Sequence, residues 1–299
     1  MAAAKSAFVY HPGYYSDVGE HVLQTRKYRK TYERFRAEEN VPDACFFEPR
    51  AATLEEVLLV HTQEYVRDLL GYRHTHRTYP SELPISKEII DSFFLATGGT
   101  ILACRLALEH GRALNLTGGL HHCFPARAEG FCYLHDSAVG IRCLEREGKI
   151  HRTAVIDCDL HQGNGTAAIF AGDPEVFTFS IHQENLYPVK ERSDLDIGLG
   201  DFDGDDVYMG HVRRVVPKIL EDHQPDFVLY ESGADPFKGD QLGTLQLSKE
   251  CLFERDCFIL QECAKRAIPT GGVLGGGYAA DPEDTVEIHA NACKAFWSA

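Results

Sequence analysis

Apolar and β-branched residues gather into short runs separated by longer stretches of helical spacing. The runs are AFVY (7–10), RALNLT (112–117), TAVIDCDL (153–160), VFTFSIH (176–182), DFVLYES (226–232) and GGVLGGGY (271–278). Between them, 20–39, 53–70, 86–110, 136–147, 205–222, 248–266 and 281–297 repeat apolar residues at helical intervals, which predicts helices. Strands alternating with helices predict an α/β fold built on a central, mostly parallel sheet with helices on both faces. No Pro/Ser-rich linker, abrupt charge change or internal repeat divides residues 1–299, so a single domain is expected.

In such sheets ligands bind in the crevice beyond the carboxyl ends of the strands, and there this sequence concentrates its unusual residues. RALNLT is followed by GGLHHCFPARAEGFC, the next run by Asp159 and His161, the third ends in Ser180 and His182, the fourth leads into GADPFKGD, and the last ends in GGGY. In DCDLHQGNG (157–165), side chains that alternate along a strand send Asp157, Asp159 and His161 to one face. Asp159, His161 and Asp235 form a set of one imidazole and two carboxylates, suited to a catalytic zinc with a position left open for water; Fe(II), Mn(II) or Co(II) accept the same donors. Taken singly, Asp159 reads as a turn cap and Asp235 as a surface-loop residue. The adjacent His121 and His122, after Gly118 and Gly119, suggest proton transfer, with Asp157 and Asn164 as candidate orienting partners. A carboxylate partner raises a histidine's pKa and an amide does so much less, which separates the two roles. Tyr278, after three glycines, reads either as a core aromatic at a turn or as a phenol donating to a developing oxyanion.

Composition narrows the substrate. A net charge of −15 disfavours a nucleic-acid surface, which needs clustered Lys and Arg, and suits a cationic partner. The N-terminal MAAAKSAFVYHPGYY has no long apolar segment before a cleavage site, and nowhere do about 18 apolar residues run together as a membrane span requires. A cytoplasmic or nuclear protein without a membrane role is therefore expected. The ten cysteines are scattered with no C-x-x-C pair, which predicts reduced and mostly buried thiols. DFDGDD (201–206) departs from a calcium loop at Asp206 and Val212, and there is no G-x-S-x-G, H-E-x-x-H, P-loop or G-x-G-x-x-G.

The ordered motifs GGLHHCFPARAEGFC, DCDLHQGNGTA, FSIH, ESGADPFKGDQLG and GGGY resemble those of the histone deacetylase family, over nearly the whole chain from HPGYY to the last helix. ATGGTILACRLAL, HQGNG and SDLDIGLGD look most like the class IV branch and its bacterial relatives. The resemblance implies the arginase-like deacetylase fold, with zinc (or Fe2+) on Asp159, His161 and Asp235. Zinc and Tyr278 would polarise an acyl-lysine amide carbonyl while His122, backed by Asn164, acts as general base and His121, backed by Asp157, as its electrostatic partner. It further implies a structural potassium ion held by Asp157, Ser180 and the backbone of Asp159, His161 and Ile181, a second monovalent-cation loop at Phe170 and Val176, and an acyl tunnel lined by Gly130, Phe131, Tyr187 and Leu242. The partner is then an acyl-lysine protein or peptide, histone tails among them.

Two departures from the family pattern carry expectations. His135 brings a basic side chain to a helix start where many relatives have Asn, and the inner end of the tunnel falls to Lys27 or a neighbour in TRKYRK. Competing readings are an acetylpolyamine or small-amide deacetylase, an inactive acyl-lysine-binding scaffold, and an arginase-type dimanganese enzyme, for which bridging carboxylates are lacking.

Overall fold

The computed structural model describes residues 6–299; positions 1–5, the start of the segment searched above for a leader, lie outside the described residues. Among the described residues eight strands form one sheet in the order β2-β1-β3-β8-β7-β4-β5-β6, and every pairing is parallel. They are β1 (Ala7–Val9), β2 (Phe46–Phe47), β3 (Arg112–Asn115), β4 (Thr153–Asp157), β5 (Val176–Gln183), β6 (Leu195–Leu199), β7 (Phe227–Ser232) and β8 (Thr270–Leu274). The helices are α1 (Arg26–Glu39), α2 (Leu54–Val57), α3 (Gln63–Leu70), α4 (Lys87–His110), α5 (Asp136–Arg146), α6 (Asn164–Phe170), α7 (Asp205–His223), α8 (Lys249–Lys265) and α9 (Pro282–Ser298).

The sheet divides two cores, and the alternation of its side chains decides which residue joins which. Ala154, Ile156, Val228 and Tyr230 pack with Phe35 of α1 and residues of α7, α8 and α9. Val155, Phe227 and Leu229 turn the other way, onto α3, α4 and α5. Both faces are covered, as the near-continuous apolar runs require. The ten cysteines are free and, Cys257 apart, buried.

The central strands β3, β8, β7, β4 and β5 are contiguous and point the same way, so their carboxyl ends share one edge. Several boundaries differ from the sequence reading, each for a local reason. β4 stops at Asp157 because its carboxylate captures the amide of Asp159 at 3.0 Å. The stretch 53–70 is two helices, since Thr53 closes a capping box with Glu56 and Thr62 caps a second helix through Tyr65 N. Residues 20–25 are not helical; Leu23 and Thr25 instead line the site cavity. β2, β6 and α6 escaped the sequence reading: β2 has two residues, β6 is an edge strand whose apolar residues are interrupted by exposed Asp196 and Gly198, and α6 is a short helix opening on Asn164.

α4 is long and apolar enough, by length and composition, to cross a membrane, but 72 % of its apolar window is buried inside the protein. It is the central helix of its layer, packed on β3, β8 and α5. A Cβ on Gly98 would overlap the Arg50 carbonyl oxygen, so the glycine permits the close approach of backbone that lets Ala52 N reach Phe94 O at 2.8 Å.

Candidate active site

Beyond the end of β4 the chain folds on its own carboxylates. Asp157 Oδ1 accepts Asp159 N, Asp159 Oδ1 accepts His161 N, and Asp235 Oδ1 accepts Leu160 N, at 3.0, 3.0 and 2.9 Å. The alternation expected over 157–161 therefore ends with the strand, and the three groups do not converge on one place. They divide between two neighbouring buried clusters, one of Asp159, His161 and Asp235 and one of His121, Asp157 and Glu231.

In the first cluster the ligand atoms lie within 4.8 Å of one another. His161 Nδ1 is 3.3 Å from Asp159 Oδ1 and 3.2 Å from Asp235 Oδ2. Burial pushes the Asp235 carboxyl up to about 7, and the charge of Asp159 beside it adds to the shift. Burial alone would lower His161, but hydrogen bonds to Asp159 and Asp235 take it to about 9. Two desolvated carboxylates thus converge on one imidazole and hold it protonated, the place a metal cation would take, and the N/O/O donor set fits zinc or Fe(II). Asp159 Oδ2 also accepts Gly276 N at 2.7 Å. A Cβ on Gly276 would run into the Asp235 carboxylate, which explains a glycine there.

The histidine pair stands beside it. His121 Nδ1 lies 2.7 Å from Asp157 Oδ2, His122 Nδ1 lies 2.8 Å from Asn164 Oδ1, and the two Nε2 atoms are 3.1 Å apart. Asn164 Nδ2 donates to Glu129 Oε1 at 2.7 Å. That fixes the amide with its oxygen towards His122, so His122 carries its proton on Nδ1 and presents a bare Nε2. Burial would lower both imidazoles. Asp157, Asp159 and Glu231 outweigh it at His121, whose pKa rises well above 6.5, whereas at His122 burial and the neighbouring His121 charge hold it well below 6.5. One is cationic and the other neutral.

Tyr278 is anchored through its backbone, its N–H donating to Asp240 Oδ2 at 2.7 Å. Burial, and then the charges of Asp235 and Asp159, raise its phenol well above 10, so it remains a donor. A cavity of about 250 Å³ joins both histidines, Asp159, His161 and Tyr278 to Gly130, Phe131, Tyr187 and Leu242. Gly130 has φ +49°, and a Cβ there would press on the His122 ring and the Tyr187 hydroxyl. Lys27 also lines the cavity, its Nζ donating to Gly277 O at 3.2 Å and lying 5.1 Å from the Tyr278 ring centre. Burial lowers Lys27 to about 8.

The other expected residues lie on β4 and β5 and on or beside the adjoining helices. Asp157 and Ser180 are register partners on β4 and β5 with Ile181 next along, and the Ser180 hydroxyl is 2.9 Å from His182 Nδ1. Phe170 and Val176 are buried at the opposite end of these strands, where β4 and β5 begin. His135 is not a basic intrusion. Burial, reinforced by His61 and His121, holds it well below 6.5; the neutral ring caps α5 by accepting Ala138 N at 3.2 Å and pairs with Thr166 Oγ1 at 3.0 Å.

Sequence reasoning missed Glu231, Glu129 and Asp240. Glu231 is fully buried, accepts Ser137 Oγ at 2.7 Å on one oxygen and lies 3.3 Å from His121 Nδ1 with the other. Burial, and then the charge of Asp157, raise it well above 4.5. The sequence offered only that it is a carboxylate near the end of an apolar run, as Asp157 is; its register opposite Asp157 comes with the fold.

A family model described as the histone deacetylase domain matches residues 21–293. An uncharacterized protein of a Picosynechococcus strain is 37 % identical over 94 % of this chain and 95 % of its own length. Acetoin utilization protein AcuC of Bacillus subtilis is 29 % identical over 91 % of this chain and 77 % of its own length. Among solved structures, a histone deacetylase homologue in complex with SAHA superposes with a TM-score of 0.83 at 24 % identity, over 97 % of this chain and 84 % of that one.

Proposed function

Because the chain belongs to the histone deacetylase family, we propose that it is a zinc-dependent amidohydrolase that removes acetyl or longer acyl groups from lysine side-chain amines of proteins or peptides, histone tails among the candidates. The observation that carries this is one cavity lined by Asp159 and His161, which cluster with Asp235, by a histidine pair in opposite charge states and by a protonated Tyr278. The likeness of ATGGTILACRLAL, HQGNG and SDLDIGLGD to the class IV branch and its bacterial relatives supports placing it there.

Asp159, His161 and Asp235 would hold the metal, whose chemistry when bound is to polarise the amide carbonyl and acidify water; the donors accept Fe(II) as well. His122 Nε2 takes the proton from the attacking water, a step that positioned bases accelerate by roughly 10²–10⁴-fold. Asn164, held by Glu129, keeps that nitrogen bare. His121 remains cationic against Asp157 and Glu231, and a proton from the pair goes to the departing lysine amine. Tyr278 donates to the oxygen on which negative charge develops. Gly130 beside Phe131 leaves a slot that fits a methylene chain. Asp157, Ser180 and the backbone of Asp159, His161 and Ile181 would hold a structural potassium ion, and the loop at Phe170 and Val176 a second monovalent cation.

A second reading, acetylpolyamine hydrolysis, is favoured by the net charge of −15 and by Glu82 on the cavity wall. One experiment separates them: metal content of the purified protein, with rates on lysine peptides carrying acetyl, octanoyl and myristoyl groups and on acetylspermidine. Faster turnover of peptides is expected. Faster acetylspermidine turnover transfers the assignment to small amides, and a metal-loaded protein that turns over none of them is a scaffold.

A further inference from the structure

Arg255 lies on α8, outside the cavity, and is fully buried. Its Nη1 donates to two backbone carbonyls, Cys158 O at 3.1 Å and Gly233 O at 2.9 Å. Its Nη2 donates to Ser232 Oγ at 3.2 Å, and Nε and Nη2 reach Asp256 Oδ1 at 2.9 and 2.8 Å. Asp256 is in turn bonded by the hydroxyls of Tyr230 and Ser232. The position of the two carbonyls is what matters. Cys158 immediately precedes Asp159, and Gly233 is two residues before Asp235. The β4–β7 register ends at Asp157 opposite Glu231, so beyond it the ladder no longer sets the spacing of the two strands. One nitrogen bridges them where the ladder stops.

We propose that Arg255 is a positioning residue for the metal centre: its bridge between Cys158 O and Gly233 O sets the separation of the Asp159 and Asp235 carboxylates. The inference rests on the metalloenzyme reading above. Two carbonyl dipoles converging on one point repel each other, and so do the two carboxylates beyond them; a fixed cation between the carbonyls offsets both. The planar fork of a guanidinium serves two carbonyls, a hydroxyl and a carboxylate at once, which a lysine ammonium on a flexible stem does not reproduce. Asp256, with two hydroxyl partners, balances the buried charge, so the assembly stays inside the core without an unpaired ion.

The test measures metal binding directly. Zinc affinity would be read by chelator competition, and the visible absorption of the cobalt(II)-substituted protein would report ligand geometry, both without substrate. Arg255→Lys keeps the charge and loses the fork; the double variant Arg255→Met, Asp256→Leu replaces the ion pair by apolar groups of similar volume, an exchange that proteins often tolerate. With circular dichroism and a cooperative melt showing that each is folded, zinc affinity is expected to fall roughly 10–100-fold, the range for groups that orient metal ligands. The cobalt bands should shift, and kcat should fall while KM stays within about threefold. A folded Arg255→Lys with the parent's zinc affinity and cobalt spectrum overturns the proposal, and if the double variant does not fold, Arg255→Lys alone decides. Failure of the parent protein to bind zinc or cobalt would instead remove the metalloenzyme reading, and the proposal with it.

Discussion

His121 and His122 share a cavity and near-complete burial and differ in the group behind each ring, a carboxylate for one and an amide for the other. That difference begins the separation of their charges, which Asp159 and Glu231 reinforce at His121 and burial and the His121 charge at His122; it was legible in the sequence because Asp157 and Asn164 lie in one short motif. Glu129, which orients Asn164, and Glu231, which reinforces Asp157, were not singled out, because each acts through a partner that only the fold brings near. The residues that touch the cavity invite the sharpest test. Tyr278→Phe removes one hydroxyl and His122→Ala one ring. Each is expected to leave the thermal melt and zinc content close to the parent's and to lower kcat by about 10²-fold or more. Steady-state rates on an acyl-lysine peptide check this, and near-parental kcat in either variant would contradict the assigned role.

Among the elements, the long apolar runs were the readable part, and the misreadings share a cause: the decisive interactions are local and polar. One helix was read over 53–70 because the apolar spacing continues through it, yet two Thr caps divide it. The first of these caps also carries a measurable charge. Glu56, 4 % exposed, receives both Nη atoms of Arg50 at 2.8 and 2.5 Å and the amide of Thr53 at 2.8 Å. Arg50 and then Thr53 pull its carboxyl down to about 2, against burial, from the usual 4.5. A carboxylate depressed on folding stabilises the native state fully above its unfolded pKa and loses that contribution as pH falls towards the folded value. Glu56→Gln should therefore be less stable than the parent at pH 7, with the gap closing as pH falls from about 4.5 towards 2. Urea unfolding at pH 7, 5, 4 and 3 measures it, and a gap independent of pH would show that the charge is not what holds α2. The glycines of α4 illustrate the opposite limit: helical spacing predicted the helix, but nothing in ATGGT revealed that backbone from 50–52 lies against Gly98.

For the molecule as a whole, topology and charge act together on the substrate. Parallel pairing throughout brings five strand ends to one edge, so residues more than a hundred positions apart in sequence meet in one cavity whose depth no spacing rule could supply. Tyr187, 42 % exposed, stands where this cavity opens. Burial raises its phenol, with Glu129, Cys132 and Glu82 adding to the shift, and the Glu82 carboxylate lies on the wall of the same cavity in a protein whose net charge is −15. A field of that sign draws cationic chains towards the cavity and acts on encounter more than on the chemical step. Acyl-lysine peptides flanked by Arg or Lys should accordingly show a higher kcat/KM than the same peptides flanked by Asp or Glu. The difference should shrink as ionic strength rises past 0.1 M, where charges in solvent are screened over about 10 Å. The sheltered histidine pair is screened far less, so kcat should change little over the same range. Measuring kcat/KM and kcat for basic-, neutral- and acidic-flanked peptides at low and high salt separates the two effects. Equal salt slopes for all three peptides would mean that the surface charge plays no part in selecting the substrate, and that selection lies wholly within the tunnel.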